Sequence, residues 1–205
     1  MNVVYLYIHS EWGQELRYSL RSIEKHLPDA KPLLIGDKPL YYKGNHIEVE
    51  QNDNIYQDVH NKLKVAFDNL DEFLFMYDDI FLLKPYKIAY YSDMKFTDRI
   101  KRTGGGRKEV MQRTLDVVGE DALNYELHYP MYFKKFDLPD DPICPKTIMG
   151  NIVDNPTQAK DCKYNAQLVN EKFLQGMPCF STYSEDERFK TILEKLYPKP
   201  SQYEI

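Results

Sequence analysis

The stretch 73-FLFMYDDIFLLKP-85 sets two adjacent carboxylates, Asp78 and Asp79, between apolar runs on both sides. Short continuous apolar runs suit strands covered on both faces of a sheet. A strand of that kind cannot carry two unpaired charges along its buried length, because desolvating a lone carboxylate is costly. The strand "EFLFMYDD" is therefore expected to stay buried as far as Tyr77 and to release the carboxylates where it leaves the sheet.

The residues upstream say what kind of sheet this is. "VVYLYI" (3–8) is β-branched and aromatic, "PLLIGD" (32–37) ends in Gly-Asp, and "HIEVEQ" (46–51) alternates, so all three read as strands. Between them, "QELRYSLRSIEKHLP" places Leu16, Leu20, Ile23 and Leu27 at helical spacing before Pro28, and "NKLKVAFDNL" does the same with Leu63, Ala66, Phe67 and Leu70. The order β-α-β-β-α-β predicts an α/β, Rossmann-like, mostly parallel sheet flanked by helices, which binds ligands beyond the carboxyl ends of its strands. Asp37 and the Asp78/Asp79 pair both fall at such ends.

Further on, "IFLLKP" and "KIAYYSD" read as strands, "NYELHYPMYFKK" as an edge strand, "CPKTIMGNIV" as partly helical, "MPCFSTYS" as a strand and "ERFKTILEKL" as a helix. Residues 95–113 stand apart, with seven Lys or Arg against two acids around three consecutive glycines. This stretch reads as a mobile basic loop, or as a loop leading into the helix "KEVMQRTLDVVG". No repeat or linker divides the chain, so residues 1–205 are expected to form one domain, 1–85 its nucleotide-binding half and 86–205 its acceptor and metal half.

Composition narrows the class. The chain has 205 residues, net charge −5 and pI near 5.6, which gives no global attraction to nucleic acid or anionic membrane. No apolar run is long enough for a membrane span, and "MNVVYLYIHSEWG" lacks a charged n-region and a cleavage site, which predicts a cytoplasmic protein. Cys144, Cys162 and Cys179 include no CxxC spacing and read as reduced core thiols.

Two carboxylates at a strand exit suit Mg²⁺ or Mn²⁺ bridging a diphosphate, since these cations favour hard oxygen ligands and keep part of their water. An isolated Asp-Asp more often only starts a turn; the apolar flanks and the α/β context favour the ligand here. His128 in "ELHYP" fits a metal ligand, a general acid or base, or a structural histidine. Asp37 fits a ribose or base acceptor, or a turn residue in "GDKP". Asn61 and Lys62, read as the start of a helix, fit a phosphate at its positive end, and Lys62 equally fits a solvated surface charge. Arg17 and Arg21, four apart, are expected to pair with nearby acids such as Glu24.

Taken together, "ELRYSLRSIEKHLP", "LIGDKP", "FLFMYDDIFLLKP", "LHYP", "KDCK", "FSTYSED" and "LYPKPSQYE" resemble small GT-A-type glycosyltransferases related to the Stealth capsular polysaccharide phosphotransferases, a group found in phages and bacteria. The resemblance implies a GT-A fold and a nucleotide-sugar donor, most simply a UDP-sugar, with Mn²⁺ or Mg²⁺ held through Asp79 and Asp78. It also implies roles near the donor phosphates for His128, Asp161 and Lys163. On this expectation the protein is a glycosyltransferase: His128 and Asp78 face the reaction, Asp37, Asn61, Lys62, Asp78 and Lys163 meet the donor, and Asp78, Asp79, His128 and Asp161 hold the metal. A Stealth-like sugar-1-phosphate transferase and a non-catalytic sugar- or nucleotide-binding module are the alternatives. The acceptor is open between a glycan, a protein and a modified nucleobase of DNA.

Overall fold

Six residues, Asn2–Tyr7, form β1, and their alternation decides how the sheet is covered. Val3, Tyr5 and Tyr7 enter one apolar cluster and Val4 the other. The first cluster receives Leu16, Leu20 and Ile23 of helix α1 (Glu15–His26), the second Leu63, Ala66 and Phe67 of α2 (Ile55–Asn69). A strand with both faces buried and a helix on each side is what a continuous apolar run encodes.

The computed structural model describes residues 1–9, 14–86, 89–164, 169–174, 176–182 and 187–205. Most of "HSEWG", the first two residues of "KIAYYSD" and the end of "FSTYSED" lie outside these residues.

β2 (Lys31–Gly36), β3 (Asn45–Glu48) and β4 (Glu72–Phe75) join β1 in a parallel arrangement ordered β3-β2-β1-β4. The expected edge strand is β7 (Met131–Lys134), which closes the sheet by pairing antiparallel with β4. The fold is thus α/β with a mostly parallel sheet, as the sequence pattern predicts.

β4 is shorter than expected. Its pairing ends at Phe75, Met76 adds one further bond to Val4 at 3.0 Å, and Tyr77-Asp78-Asp79 then turns, closed by Ile80 N–H on the Tyr77 carbonyl. The chain next enters β5 (Ile80–Leu82), which belongs to a different sheet, β5-β10-β9, with β9 at Lys163–Tyr164 and β10 at Cys179–Thr182. The Asp pair therefore occupies the passage between two sheets, half-buried where the backbone turns. Two buried serines of α1 fix that passage. Ser19 donates to the Ile80 carbonyl at 2.7 Å, and Ser22 accepts from Leu82 N–H at 3.0 Å.

Beyond β5 run β6 (Tyr90–Tyr91), α3 (Phe96–Lys101), α4 (Gly105–Val118), α5 (Pro145–Gly150), β8 (Thr157–Gln158), α6 (Glu171–Leu174) and α7 (Glu187–Leu196). Of the two readings of 95–113, the mobile loop is overturned, while the helix "KEVMQRTLDVVG" is present as α4 but begins earlier, at Gly105, and α3 takes the place of the loop before it. Phe96, Ile100, Val110 and Met111 are the buried apolar residues of these helices. Glycine and charge dominate the stretch by composition, but its four apolar residues pack with Ala122, Cys144 and Tyr56 from elsewhere in the chain.

Arg17 and Arg21 do pair with an acid, but with Glu204 near the end of the chain rather than Glu24, at 3.2 and 2.8 Å. Burial opposes the Glu204 charge, yet hydrogen bonds from Arg21 and Ser201 outweigh it and hold the carboxyl below its ordinary range. This clasp ties the "YPKPSQYE" tail to α1.

Gly150, at the end of α5, abuts the buried Tyr125 ring so closely that any side chain there would overlap it. Gly150→Ala is expected to cost about 1–3 kcal/mol through overpacking, measured as a lower midpoint in urea denaturation.

Candidate functional site

The turn after β4 opens into a cleft of about 300 Å³. Four residues named from the sequence line it: Asp78, Asp79, His128 and Lys163. They come from the β4–β5 passage, the approach to β7, and β9, so the switch between sheets brings them together. Tyr77, Arg107, Glu126 and Leu127 complete the lining.

Asp79 is partly buried and firmly oriented. One carboxylate oxygen accepts from Lys163 Nζ at 3.1 Å and from Ser181 Oγ at 2.8 Å. Both partners lie on the small sheet, on β9 and β10, so this sheet serves to hold Asp79. Its second oxygen remains for a ligand in the cleft.

Asp78 has a different environment. Burial first, then the neighbouring charges of Asp79 and Glu15, push its carboxyl up to about 7. The sign of the stability effect follows. The folded state holds the Asp78 proton more tightly than the unfolded chain, so this contribution is present in full below about pH 4 and is lost as pH rises through about 7. Denaturation midpoints measured across that window should fall more steeply with pH for the wild type than for Asp78→Asn.

His128 is held by Asp161 at two points, its backbone N–H and its ring Nδ1, each 2.8 Å from a carboxylate oxygen. Burial works against the Asp161 charge, but these bonds outweigh it and keep the carboxyl below its ordinary range. Asp161 therefore orients His128 rather than lining the cleft. A carboxylate on the far nitrogen of a ring is how proteins present histidine to a cation.

Behind the cleft lies a buried ammonium that the sequence reading did not single out. Lys146 donates to the carbonyls of Leu127 and Tyr129, on either side of His128, and lies 5.4 Å from the centre of the Tyr77 ring. Burial pulls its pKa below the ordinary lysine value. The next residue, Thr147, donates to Glu126 at 3.1 Å. Together, Lys146 and Thr147 fix the segment that carries Glu126, Leu127 and His128.

Asn61 and Lys62 stand elsewhere. α2 begins at Ile55, capped by Asn54 through the N–H groups of Tyr56 and Gln57, so residues 61 and 62 lie inside the helix rather than at its positive end. Asn61 accepts from Gln57 at 2.8 Å. Lys62 is 1% exposed, and its ammonium contacts Asp58 at 2.6 Å and the Tyr7 carbonyl at 3.3 Å. It holds the end of β1 from within, neither a phosphate ligand nor a solvated charge. Gly36 makes room for it: a side chain there would overlap Tyr7 and the Lys62 stem, and its φ of +116° favours glycine. Asp37 follows at the end of β2 and accepts from His9 N–H at 2.7 Å, outside the cleft lining.

Among the described residues, no three His, Cys, Asp or Glu side chains are gathered tightly enough to cage a metal ion. The expected set of Asp78, Asp79, His128 and Asp161 is therefore not assembled: Asp161 is turned to His128, and Asp78, Asp79 and His128 line the cleft without closing on one point. What the cleft offers is sparser: one oriented carboxylate, one oriented imidazole, and room. Of the two, the Asp79 carboxylate is the kind of ligand Mg²⁺ and Mn²⁺ take, one or two carboxylates together with water and substrate phosphates.

No helix among the described residues is long and apolar enough to cross a membrane. No protein-family model and no curated protein sequence matches the chain. Solved structures do. The galactosyltransferase LgtC, in complex with donor and acceptor sugar analogues, superposes with a TM-score of 0.52 at 12% identity over 99% of each chain. A glycosyltransferase of Streptococcus pneumoniae TIGR4, GlyE in its apo form, aligns at a TM-score of 0.38 and 13% identity, over 98% of this chain and 65% of its own. Across its whole length, this chain has the fold of the galactosyltransferase LgtC.

Proposed function

We propose that the protein is a metal-dependent glycosyltransferase that moves a sugar from a nucleoside diphosphate, UDP in the simplest case, to an acceptor hydroxyl. The observation that carries this reading is the Asp78-Asp79 turn opening, between two sheets, into a cleft that Lys163 and the Asp161-oriented His128 also enter. The fold shared with LgtC supports it. In the reaction, the acceptor oxygen bonds to the anomeric carbon, the bond from that carbon to the diphosphate breaks, and the diphosphate leaves with the electron pair.

Asp79 and His128 are the groups suited to hold Mn²⁺ or Mg²⁺. When bound, such a cation neutralises charge building on the departing diphosphate. Lys163 adds a fixed positive charge beside the same oxygens. Asp37, at the end of β2, is suited to the nucleoside, and Glu126, which lines the same cleft as Asp79, to the acceptor. A nucleotide-sugar donor also fits a cytoplasmic site of action.

Sugar-1-phosphate transfer, as the Stealth resemblance suggests, breaks a different bond. The test is to incubate the protein with UDP-sugars and Mn²⁺ and to identify the released nucleotide. UDP is the product expected; UMP would assign phosphotransfer, and no release with any donor would leave a binding module.

A further inference from the structure

Residues 95–113 carry a surplus of five positive charges on a chain whose net charge is −5. Folding gives this surplus a shape. The apolar residues of α3 and α4 turn inward to a shared cluster, while Lys95, Lys101, Arg102, Arg107 and Lys108 are exposed and Arg99 half-buried along the elbow between the helices. Lys101 is paired with Asp98, and Arg113 is bonded to the Pro142 carbonyl. Lys95, Arg99, Arg102 and Lys108 make no ion pair among the described residues. At the bend, Gly104 and Gly105 have nothing within 4 Å of where a side chain would start, so the backbone there is bare.

This elbow runs directly into the cleft. Arg107, in the first turn of α4, lines it and reaches Glu126 at 3.4 Å. Beside that pair, Tyr77 lines the cleft as a partly exposed residue: Phe75 packs edge-on against its ring, the Lys146 ammonium lies 5.4 Å from the ring centre, and burial pushes its phenol pKa up. Outward cations hold a phosphodiester backbone, an exposed aromatic ring stacks a base, and Arg and Glu side chains read base edges. Here the cations lie on the elbow, and Tyr77 and the Arg107–Glu126 pair line the cleft that the elbow meets.

We propose that the α3–α4 elbow is a docking surface for a nucleic-acid acceptor, whose phosphates lie along the elbow while one nucleoside enters the cleft beside Tyr77. The inference rests on the transferase reading for its acceptor role, though not for its binding. The acceptor hydroxyl belongs to the inserted nucleoside. Its oxygen bonds to the anomeric carbon, the diphosphate departs with the electrons of the broken bond, and the hydroxyl proton passes to Glu126.

The test uses the full chain and a fluorescent single-stranded DNA of about 12 nucleotides, with polygalacturonate as an anionic glycan of comparable charge. Anisotropy is followed from about 50 to about 200 mM NaCl for the wild type and for the double variant R102E/K108E. The wild type should bind DNA in preference to the glycan. The variant should bind about tenfold or more weakly at low salt, with a log–log salt slope shallower by about 1.4 for two lost phosphate contacts. Mn²⁺-dependent donor hydrolysis should stay at the wild-type level in the variant. If the charge reversal perturbs folding by circular dichroism, R102Q/K108Q replaces it and should show the same change in slope.

Equal or tighter binding of polygalacturonate, no DNA binding at low salt, or an unchanged slope in the variant would overturn the proposal. Salt-dependent DNA binding without donor turnover would leave the docking surface standing and remove the transferase reading.

Discussion

Asp79→Asn should retain the fold and lose Mn²⁺-dependent turnover by roughly a thousandfold, about 4 kcal/mol of transition-state stabilisation. Asparagine keeps an oxygen for Lys163 and Ser181, which hold Asp79 at 3.1 and 2.8 Å, so the β5-β10-β9 sheet retains its anchor. What disappears is the negative charge that a divalent cation requires. Isothermal titration of UDP with Mn²⁺ should show the donor binding more weakly to the variant, and equally weakly to the wild type once the metal is withheld. A variant that bound UDP–Mn²⁺ as tightly as the wild type would remove the metal from Asp79.

Asp58→Ala is expected to be the most destabilising substitution near the site, by about 3–5 kcal/mol, because it leaves the Lys62 ammonium buried without its carboxylate. Lys62→Met keeps most of the volume but leaves the Asp58 carboxylate buried with the Asn52 N–H, whereas the double variant removes both charges and should recover much of the loss. Urea denaturation of the two single variants and the double gives the coupling directly. The same series decides what Lys62 is for. A lysine serving the donor phosphates would, when changed to Met, weaken UDP binding and leave stability alone. The geometry predicts the reverse: a stability change, with UDP affinity little altered.

Lys62 also shows where sequence reading reaches its limit. The apolar spacing 63, 66, 67 and 70 marks the helix, but its first two turns hold Tyr56, Asp58 and His60, whose mixed polarity hid the true start at Ile55. Losing those turns moved Lys62 from the middle of a helix to its end and turned a buried ion pair into a supposed phosphate ligand. The central strands posed no such problem, because β-branched and aromatic runs buried on both faces have few alternatives.

Around the cleft the same contrast holds. Asp78 and Asp79 were legible because charge interrupting an apolar strand calls for a physical reason. Lys163 and Asp161 came from the "KDCK" resemblance, and only the fold shows that one supports Asp79 and the other orients His128. Glu126 lies two residues before His128 in the same "ELHYP" stretch, a signal that was available. Arg107 and Lys146 gave none: the first was one cation among seven, and the second reaches His128 through backbone carbonyls that carry no mark in sequence. Contacts made to backbone, or across two sheets, depend on topology rather than local pattern.

The central claim is that the turn between β4 and β5 seats a cation together with the departing diphosphate. A crystal grown with UDP and Mn²⁺, measured at the manganese absorption edge, tests it most directly. An anomalous peak against the Asp79 carboxylate, with the diphosphate between Lys163 and His128, is the predicted result. A peak elsewhere, or UDP bound away from this cleft with Asp79 still closed on Lys163 and Ser181, would contradict it.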